Sequence, residues 1–396
     1  MNQQSPPRVA HFVHAAFALT ETFVHDFVSA ARRYESWVYA AERVNRDLFP
    51  CDRVELRPEE SGALRQFITR PFRRSKHGAR LDARTFVRKA KPNVVHAHFG
   101  PRGWEALPLC RKHSIPLMTS FYGRDASAIP SEGDWRKRYD ELFSEGDAFV
   151  VEGPAMKQRL VRLGAPCDRV HIVPLICRDG YEFRTRSCPP EEKIRFAFVG
   201  RFVEKKGLPV LLQALQRAKE KLGAFSLAVI GDGDDRKRME ELAAQLGIAA
   251  EVEFRGFCSR SEMIAQLSNA DVLVAPSRTA SDGDTEGGAP TILVEAMAMG
   301  IPIVGTTHAD IPFVCSAYQD YLAEENDVAG LASQLVKIRD DHMRWPALAS
   351  DAIQVVRQQH SEDNIDRLEA IYDLVAAGRS SGNVESPIEA GRERLG

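Results

Sequence analysis

SDGDTEGGAPTILVEAMAMGIPIVG, residues Ser281–Gly305, is the stretch from which the fold of this chain can be read. It opens with small, acidic and glycine residues, which favour turns and close backbone approach to a ligand. Pro290 stands where a helix can begin, TILVEAMAM has helical character, and Gly300 with Pro302 ends it. IPIVGTT then reads as a short buried strand. A glycine-rich loop therefore meets a helix N-terminus, where unpaired N–H groups and the helix dipole favour an anion. Glu286 and Glu295 bracket the arrangement. Anion donors flanked by two acids suit a ligand that carries both phosphate and hydroxyls, such as a nucleotide sugar.

Upstream of this stretch the same grammar repeats. IRFAFVG, FSLAVIGDG, VEFRGF and DVLVAPS read as strands, and the helical segments LPVLLQALQRAKEKLG, DDRKRMEELAAQLG and SRSEMIAQLSNA alternate with them. Asp234 or Asp235 and Ser259 or Ser261 are the expected caps. The N-terminal half has its own series: RVAHFVH, WVYAAE, PNVVHAHFG, IPLMTSFYG, a strand near Ala148–Val151 and RVHIVPLICR. Thr20 is the expected N-cap of its first helix. Repeated strand–helix–strand units with apolar strands predict parallel sheets covered on both faces. The predicted organisation is an N-terminal unit over 1–183, a polar linker over 184–193 and a C-terminal unit over 194–360. A last helix over 361–377 packs back toward the N-terminal unit, and a disordered tail covers 378–396.

The 396 residues suffice for two such units. A net charge of -2 disfavours a nucleic-acid partner. Seven scattered cysteines with no C-x-x-C pair predict reduced thiols in a cytoplasmic protein, and no signal peptide or membrane span is read. Arg65–Lys91 holds ten basic residues and one acid, Asp82, interleaved with Phe67, Ile68, Phe72, Leu81, Phe86 and Val87. Two readings stand: a solvated helical face over the sheet, or a surface that rests on anionic lipid at the inner face of the cell membrane.

Ligands of doubly wound sheets bind beyond the carboxyl ends of the strands. His98, Tyr122-Gly123, Gly200-Arg201, Gly231-Asp232, Ser277 and Glu286 all fall there. Arg201 and Lys206 offer a donor fork and a point charge, a pair suited to a diphosphate. IGDGDDR departs from G-x-G-x-x-G at Arg236, which disfavours a dinucleotide-dependent oxidoreductase. His96 and His98 share one strand face, but no acid or thiol nearby completes a metal set, so no metal is expected. His98 is read as a polar contact to a sugar hydroxyl, and His14 sits at a strand end. No G-x-S-x-G elbow supports a serine hydrolase.

VGRFVEKKG, VIGDGDD, VEFRGF, ADVLVAPS and TEGGAPTILVEAMAMGIPIVGT, in this order and spacing, resemble the retaining GT-B glycosyltransferases of family 4. The resemblance covers about Ile194–Thr307 and continues, more loosely, through VVHAHFG and SFYGRD. The TETF run is similar to that of family members from exopolysaccharide assembly, including colanic-acid and amylovoran enzymes. The resemblance implies two Rossmann-like domains facing across a cleft. It implies Arg201 and Lys206 on the diphosphate, Glu286 on the donor sugar with Gly287 and Gly288 adjoining, Glu295 on the ribose, and Gly256 and Phe257 near the base. His98 matches the cleft histidine near the reacting carbon. Gly200, Gly231, Ala289, Pro290 and Thr291 complete the expected donor site. His14, Thr20, Glu21, Tyr122 and Asp125 are the expected acceptor side.

Three departures stand out. Eight residues separate Glu286 from Glu295 where the family commonly has seven. HAAFALTE replaces a glycine pair after the first strand, and Tyr122 replaces the histidine of His-Gly-x-Asp. The implied activity is retaining transfer from a nucleotide sugar, with UDP as the expected carrier, to a glycan or lipid-linked saccharide acceptor in polysaccharide biosynthesis. A small soluble acceptor such as an aminocyclitol, or a non-catalytic nucleotide-sugar-binding subunit, are the alternatives.

Overall fold

The apolar runs become strands because a sheet buried on both faces has no position for a charged side chain except at its ends. In the computed structural model, residues 5–18, 21–56, 76–177, 181–184 and 193–380 are described, with backbone only for 76–82 and 379–380. The strands are β1 (Arg8–Phe12), β2 (Ala15–Ala16), β3 (Glu35–Ala40), β4 (Glu42–Arg43), β5 (Val54–Leu56), β6 (Val94–His98), β7 (Leu117–Ser120), β8 (Ala148–Val151) and β9 (Val170–Ile172) in the first half. The second half holds β10 (Ile194–Val199), β11 (Phe225–Ile230), β12 (Val252–Gly256), β13 (Val272–Ala275), β14 (Ile303–Thr306) and β15 (Leu322–Ala323). One sheet has the order β5-β3-β1-β6-β7-β8-β9, the other β12-β11-β10-β13-β14-β15, and β2 pairs with β4 apart from both. Every pairing in both large sheets is parallel. Each order reverses direction beside its first strand, β1 or β10, which opens a crevice at the carboxyl ends there.

Local details follow from residue chemistry. Gly207 starts the Leu208–Leu222 helix at φ +69°, and a Cβ on it would stand 1.8 Å from the Pro276 carbonyl, so only glycine fits. Ser259 and Glu262 form a capping box at the Arg260–Ser268 helix. The first helix begins later than the sequence suggests: it runs Thr22–Ser29 with Glu21 at the N-cap, and Thr20 lies outside the described residues.

The basic region is described only from 76 onward, as the Lys76–Ala90 helix. Phe86 and Val87 are buried against Phe12 and Tyr39. These two apolar residues therefore cover the sheet and do not face lipid; Phe67, Ile68 and Phe72 lie outside the described residues, as does the side chain of Leu81. Among the described residues no helix is long and apolar enough to cross a membrane.

The final helix, Asp363–Ser380, leaves the second half and lies on the first sheet, extending past the Gly378 at which the tail was expected to start. Ile365, Leu368, Ile371, Tyr372 and Val375 pack with Val9, Phe27, Tyr34, Val94 and Met118. The two passages between halves run side by side: Cys177 N–H donates to the His360 carbonyl (2.7 Å), His360 Nδ1 to the Leu175 carbonyl (2.7 Å), and Asn364 Nδ2 to the Pro174 carbonyl (2.9 Å). Glu369 is fully buried and accepts the backbone N–H groups of Arg32 (2.8 Å), Arg33 (2.9 Å) and Tyr34 (3.3 Å), together with Arg33 Nε (3.0 Å). Glu369→Ala leaves those partly buried donors without their acceptor. We expect it to cost about 2–4 kcal/mol, read as a lowered urea midpoint.

Candidate active site

The floor of the site is made of strand ends. Gly231 holds φ +132°, donates its N–H to the Gly256 carbonyl (2.9 Å), and has no room for a Cβ, which would stand 2.0 Å from the Gly200 carbonyl. Gly200, Gly231 and Gly256 thus meet at the ends of three adjacent strands. Phe257 follows, 65% exposed, at the rim. Arg201 is exposed just past Gly200.

Lys206, on the one-turn Glu204–Lys206 helix, places its ammonium 2.9 Å from Glu286 Oε2. Ser277 Oγ, at the end of β13, donates to the other carboxylate oxygen at 2.8 Å. Burial pushes the Glu286 carboxyl up, but the Lys206 ammonium and the neighbouring donors outweigh it and hold the carboxyl below the usual range. The Glu286 backbone N–H donates to His308 Nε2 (3.1 Å), so the ring proton is on Nδ1, donating to Glu325 Oε1 (2.7 Å). His308 fixes the backbone of Glu286. Sequence reading passed over it, although the rule of carboxyl strand ends applied to β14 leads to it.

The first half presses on the loop that follows. Gly287 sits at φ +83°, and a Cβ there would stand 2.2 Å from the Tyr122 carbonyl. A Cβ on Gly288 would meet Glu152 Oε2 at 2.0 Å. Thr285 N–H donates to Ser127 Oγ (3.2 Å), and Arg124 pairs with Asp282 (2.7 Å). These glycines therefore admit the opposing half's backbone and side chain as well as any ligand. Ala289 is partly buried, Pro290 is the N-cap of the Thr291–Ala298 helix, and Thr291 is exposed on its first turn.

Several expected contacts are placed differently. His98 is fully buried, with Nδ1 2.7 Å from Tyr122 Oη and Nε2 3.0 Å from His11 Nδ1. Both nitrogens are thus engaged within the protein, and the Tyr122 ring that closes one of them is held between Phe23 and Phe99. Asp125 is also buried, and its carboxylate is taken by the N–H groups of Gly100 (3.0 Å), Tyr122 (3.0 Å) and Gly123 (2.9 Å). It shapes the loop and offers no oxygen to an acceptor. His14 is exposed against Arg102 (2.6 Å). Glu21 is partly buried at the N-cap of the first helix, and its carboxyl is raised above the usual range, first by burial and further by Asp125, against the opposing pull of Arg201.

Glu295 accepts a hydrogen bond from Tyr181 Oη, and Arg260 donates to that same hydroxyl (2.6 Å) while stacking on the ring at 4.9 Å. Neither Tyr181 nor Arg260 carried a sequence signal. His11, His96 and His98 bring ligand atoms within 4.8 Å of one another, but His96 also spends its nitrogens on Tyr372 (2.8 Å) and Ser120 (2.7 Å).

Glu152, at the end of β8, is a further residue the sequence did not flag. Its carboxyl accepts from the Ala289 backbone and is raised well above the usual range, first by burial, then by Asp310, Asp125 and Glu286. A raised carboxyl stabilises the fold fully below the ordinary carboxylate range, and that stability is lost as pH rises through the folded value. Thermal midpoints measured from pH 5 to pH 8 should therefore fall more for the wild type than for Glu152→Gln.

Comparison with known proteins agrees with this geometry. Residues 20–175 match the family described as Glycosyltransferase Family 4, and residues 181–357 match Glycosyl transferases group 1. The Salmonella typhimurium glycosyltransferase WcaL, named for colanic acid biosynthesis, is 33% identical over 280 residues, 69% of this chain and 68% of that protein. This chain belongs to the family 4 glycosyltransferases. The amylovoran biosynthesis glycosyltransferase AmsK of Erwinia amylovora is 30% identical over 62% of this chain and 61% of its own. The fold is GT-B, as expected from the sequence. Sucrose-phosphate synthase from Thermosynechococcus elongatus superposes with a TM-score of 0.73 at 16% identity, covering 94% of this chain and all of that one. Anabaena HepE, solved with UDP, gives 0.71 at 15% identity, covering 92% and 98%.

Proposed function

We propose that this glycosyltransferase moves a hexose with retention of configuration from a UDP-sugar to a saccharide or lipid-linked acceptor during bacterial exopolysaccharide assembly. One observation carries the reading: the Lys206–Glu286–Ser277 cluster lies under a glycine loop at a helix N-terminus and faces the opposing half at Tyr122. Departure of a nucleoside diphosphate builds negative charge on its phosphate. Arg201, Lys206 and the Gly287–Thr291 amides supply donors and positive charge where it develops. Glu286, held ionised, orients sugar hydroxyls, and Glu295 meets the ribose. Closure of the halves excludes water that would hydrolyse the donor.

Relatives named for colanic acid and amylovoran biosynthesis support the polymer, and neighbours solved with UDP support the carrier. Asp282 and Asp284 are matched by Arg124 and Lys205, which supports transfer without a metal ion. The test incubates purified protein with UDP-, GDP- and ADP-sugars and lysate lipid. We expect release of UDP, an α-linked product from an α-linked donor by NMR, and an unchanged rate in EDTA. No diphosphate from any donor overturns the reading.

Relatives named D-inositol 3-phosphate glycosyltransferase, 27% identical, favour a small soluble acceptor as the second reading. Activity with a lipid-free extract selects it, whereas flotation with anionic vesicles supports the lipid-linked one.

A further inference from the structure

Asp310 is the N-cap residue of the short Ile311–Val314 helix, yet its side chain makes no capping bond there. Its carboxylate instead crosses to the other half. Oδ1 accepts the Ala155 N–H at 2.7 Å and Oδ2 the Met156 N–H at 3.2 Å, in the first turn of the Pro154–Arg162 helix. That helix has Gly153 at its own N-cap position and so no side chain to satisfy those donors. The fit is specific: a Cβ on Gly153 would stand 2.3 Å from Asp310 Cγ. At the same residue, the Asp310 backbone N–H donates to the Gly288 carbonyl at 3.1 Å. One buried residue therefore holds the glycine loop through its main chain and the opposing half through its side chain.

We propose that Asp310 is a positioning residue that sets the Glu286–Ala289 loop only when the two halves are docked. The helix cap needed for the fold of the first half has been moved onto the second half. Docking is thereby tied to the conformation of the loop beside Glu286. The inference rests on the proposed transfer reaction for its kinetic consequence and on geometry alone for its structural one.

The experiment separates capping from docking. Asp310→Ala removes both functions, while Gly153→Ser in that background returns a cap in cis, in space the missing carboxylate has vacated. The double variant D310A/G153S should melt close to the wild type and bind UDP within about threefold. Its kcat with UDP-glucose and lysate lipid should fall by at least about tenfold. Small-angle scattering without nucleotide should show it larger than the wild type. Wild-type size and kcat in the stable double variant would overturn the proposal and leave Asp310 as a helix cap. If the double variant fails to fold, Asp310→Ser, whose shorter side chain cannot reach Ala155 and Met156, carries the same comparison: wild-type size overturns the proposal and an enlarged particle supports it. A wild type that transfers no sugar rejects the proposed function without touching the scattering result.

Discussion

Lys206→Ala is expected to lower kcat/KM for sugar transfer by about 100- to 1000-fold, equivalent to about 3–4 kcal/mol of transition-state stabilisation. Two losses combine. The leaving diphosphate loses a cation at the strand end, and the Glu286 carboxylate loses the partner that keeps it ionised. The Glu286 side chain is only 6% exposed, so water cannot replace that partner cheaply. The pH profile gives an independent sign. In the wild type the depressed Glu286 carboxyl makes its contribution above the ordinary carboxylate range and loses it only as pH falls through the lower folded value. Without Lys206, burial dominates and the acid limb of the rate profile moves toward neutrality. Lys206→Arg should not restore full activity, because a planar fork does not reproduce a point charge facing one carboxylate oxygen. Steady-state kinetics across pH decide the matter; a variant that keeps a tenth of the wild-type rate would refute the assignment.

Gly287→Ala is the second large effect. At φ +83° an alanine carries about 1–2 kcal/mol of backbone strain before any contact is counted. Its Cβ would then collide with the Tyr122 carbonyl, a backbone atom that side-chain rotation cannot move. The halves must separate locally, and misplacement by about 1 Å costs about 100-fold in rate. The collision is with the loop after β7 and leaves the strands β10, β13 and β14 themselves untouched, so far-UV circular dichroism should be unchanged. Faster amide exchange at Tyr122–Ser127 should accompany the loss of transfer. Gly288→Ala should be milder, since Gly288 holds no positive φ and the atoms nearest its Cβ would be side-chain atoms of Glu152, Oε2 at 2.0 Å and Cβ at 2.8 Å, and not opposing backbone. Equal loss in both variants would point to a ligand contact at the loop in place of docking.

The second half was the more legible in sequence, for a physical reason. β13 and β14 are buried along their whole length and read as unbroken apolar runs, and Gly200, Gly231 and Gly256 mark where β10, β11 and the edge strand β12 stop, β12 alternating with Glu253 and Arg255 exposed. Lys206 and Glu286 were each legible as donor-site residues through the family resemblance, one for the diphosphate and one for the sugar, but their ion pair with one another was not. What escaped were partners chosen by tertiary approach. Tyr181 reaches Glu295 across 114 positions, and Asp125 is claimed by amides of its own loop and of Gly100. His98 looked available because a strand end gives no hint that His11 and Tyr122 close both its nitrogens. Phe86 and Val87 fitted both readings of the basic region, sheet-covering helix or lipid-facing surface, because periodicity marks an apolar face without saying what covers it.

The paired passages at Pro174–Cys177 and His360–Asn364 have a mechanical consequence. Two segments tied edge to edge form a ribbon, which bends readily across its thin dimension and resists twist and in-plane shear. Opening of the two halves then has one soft coordinate, like a door on a strap hinge.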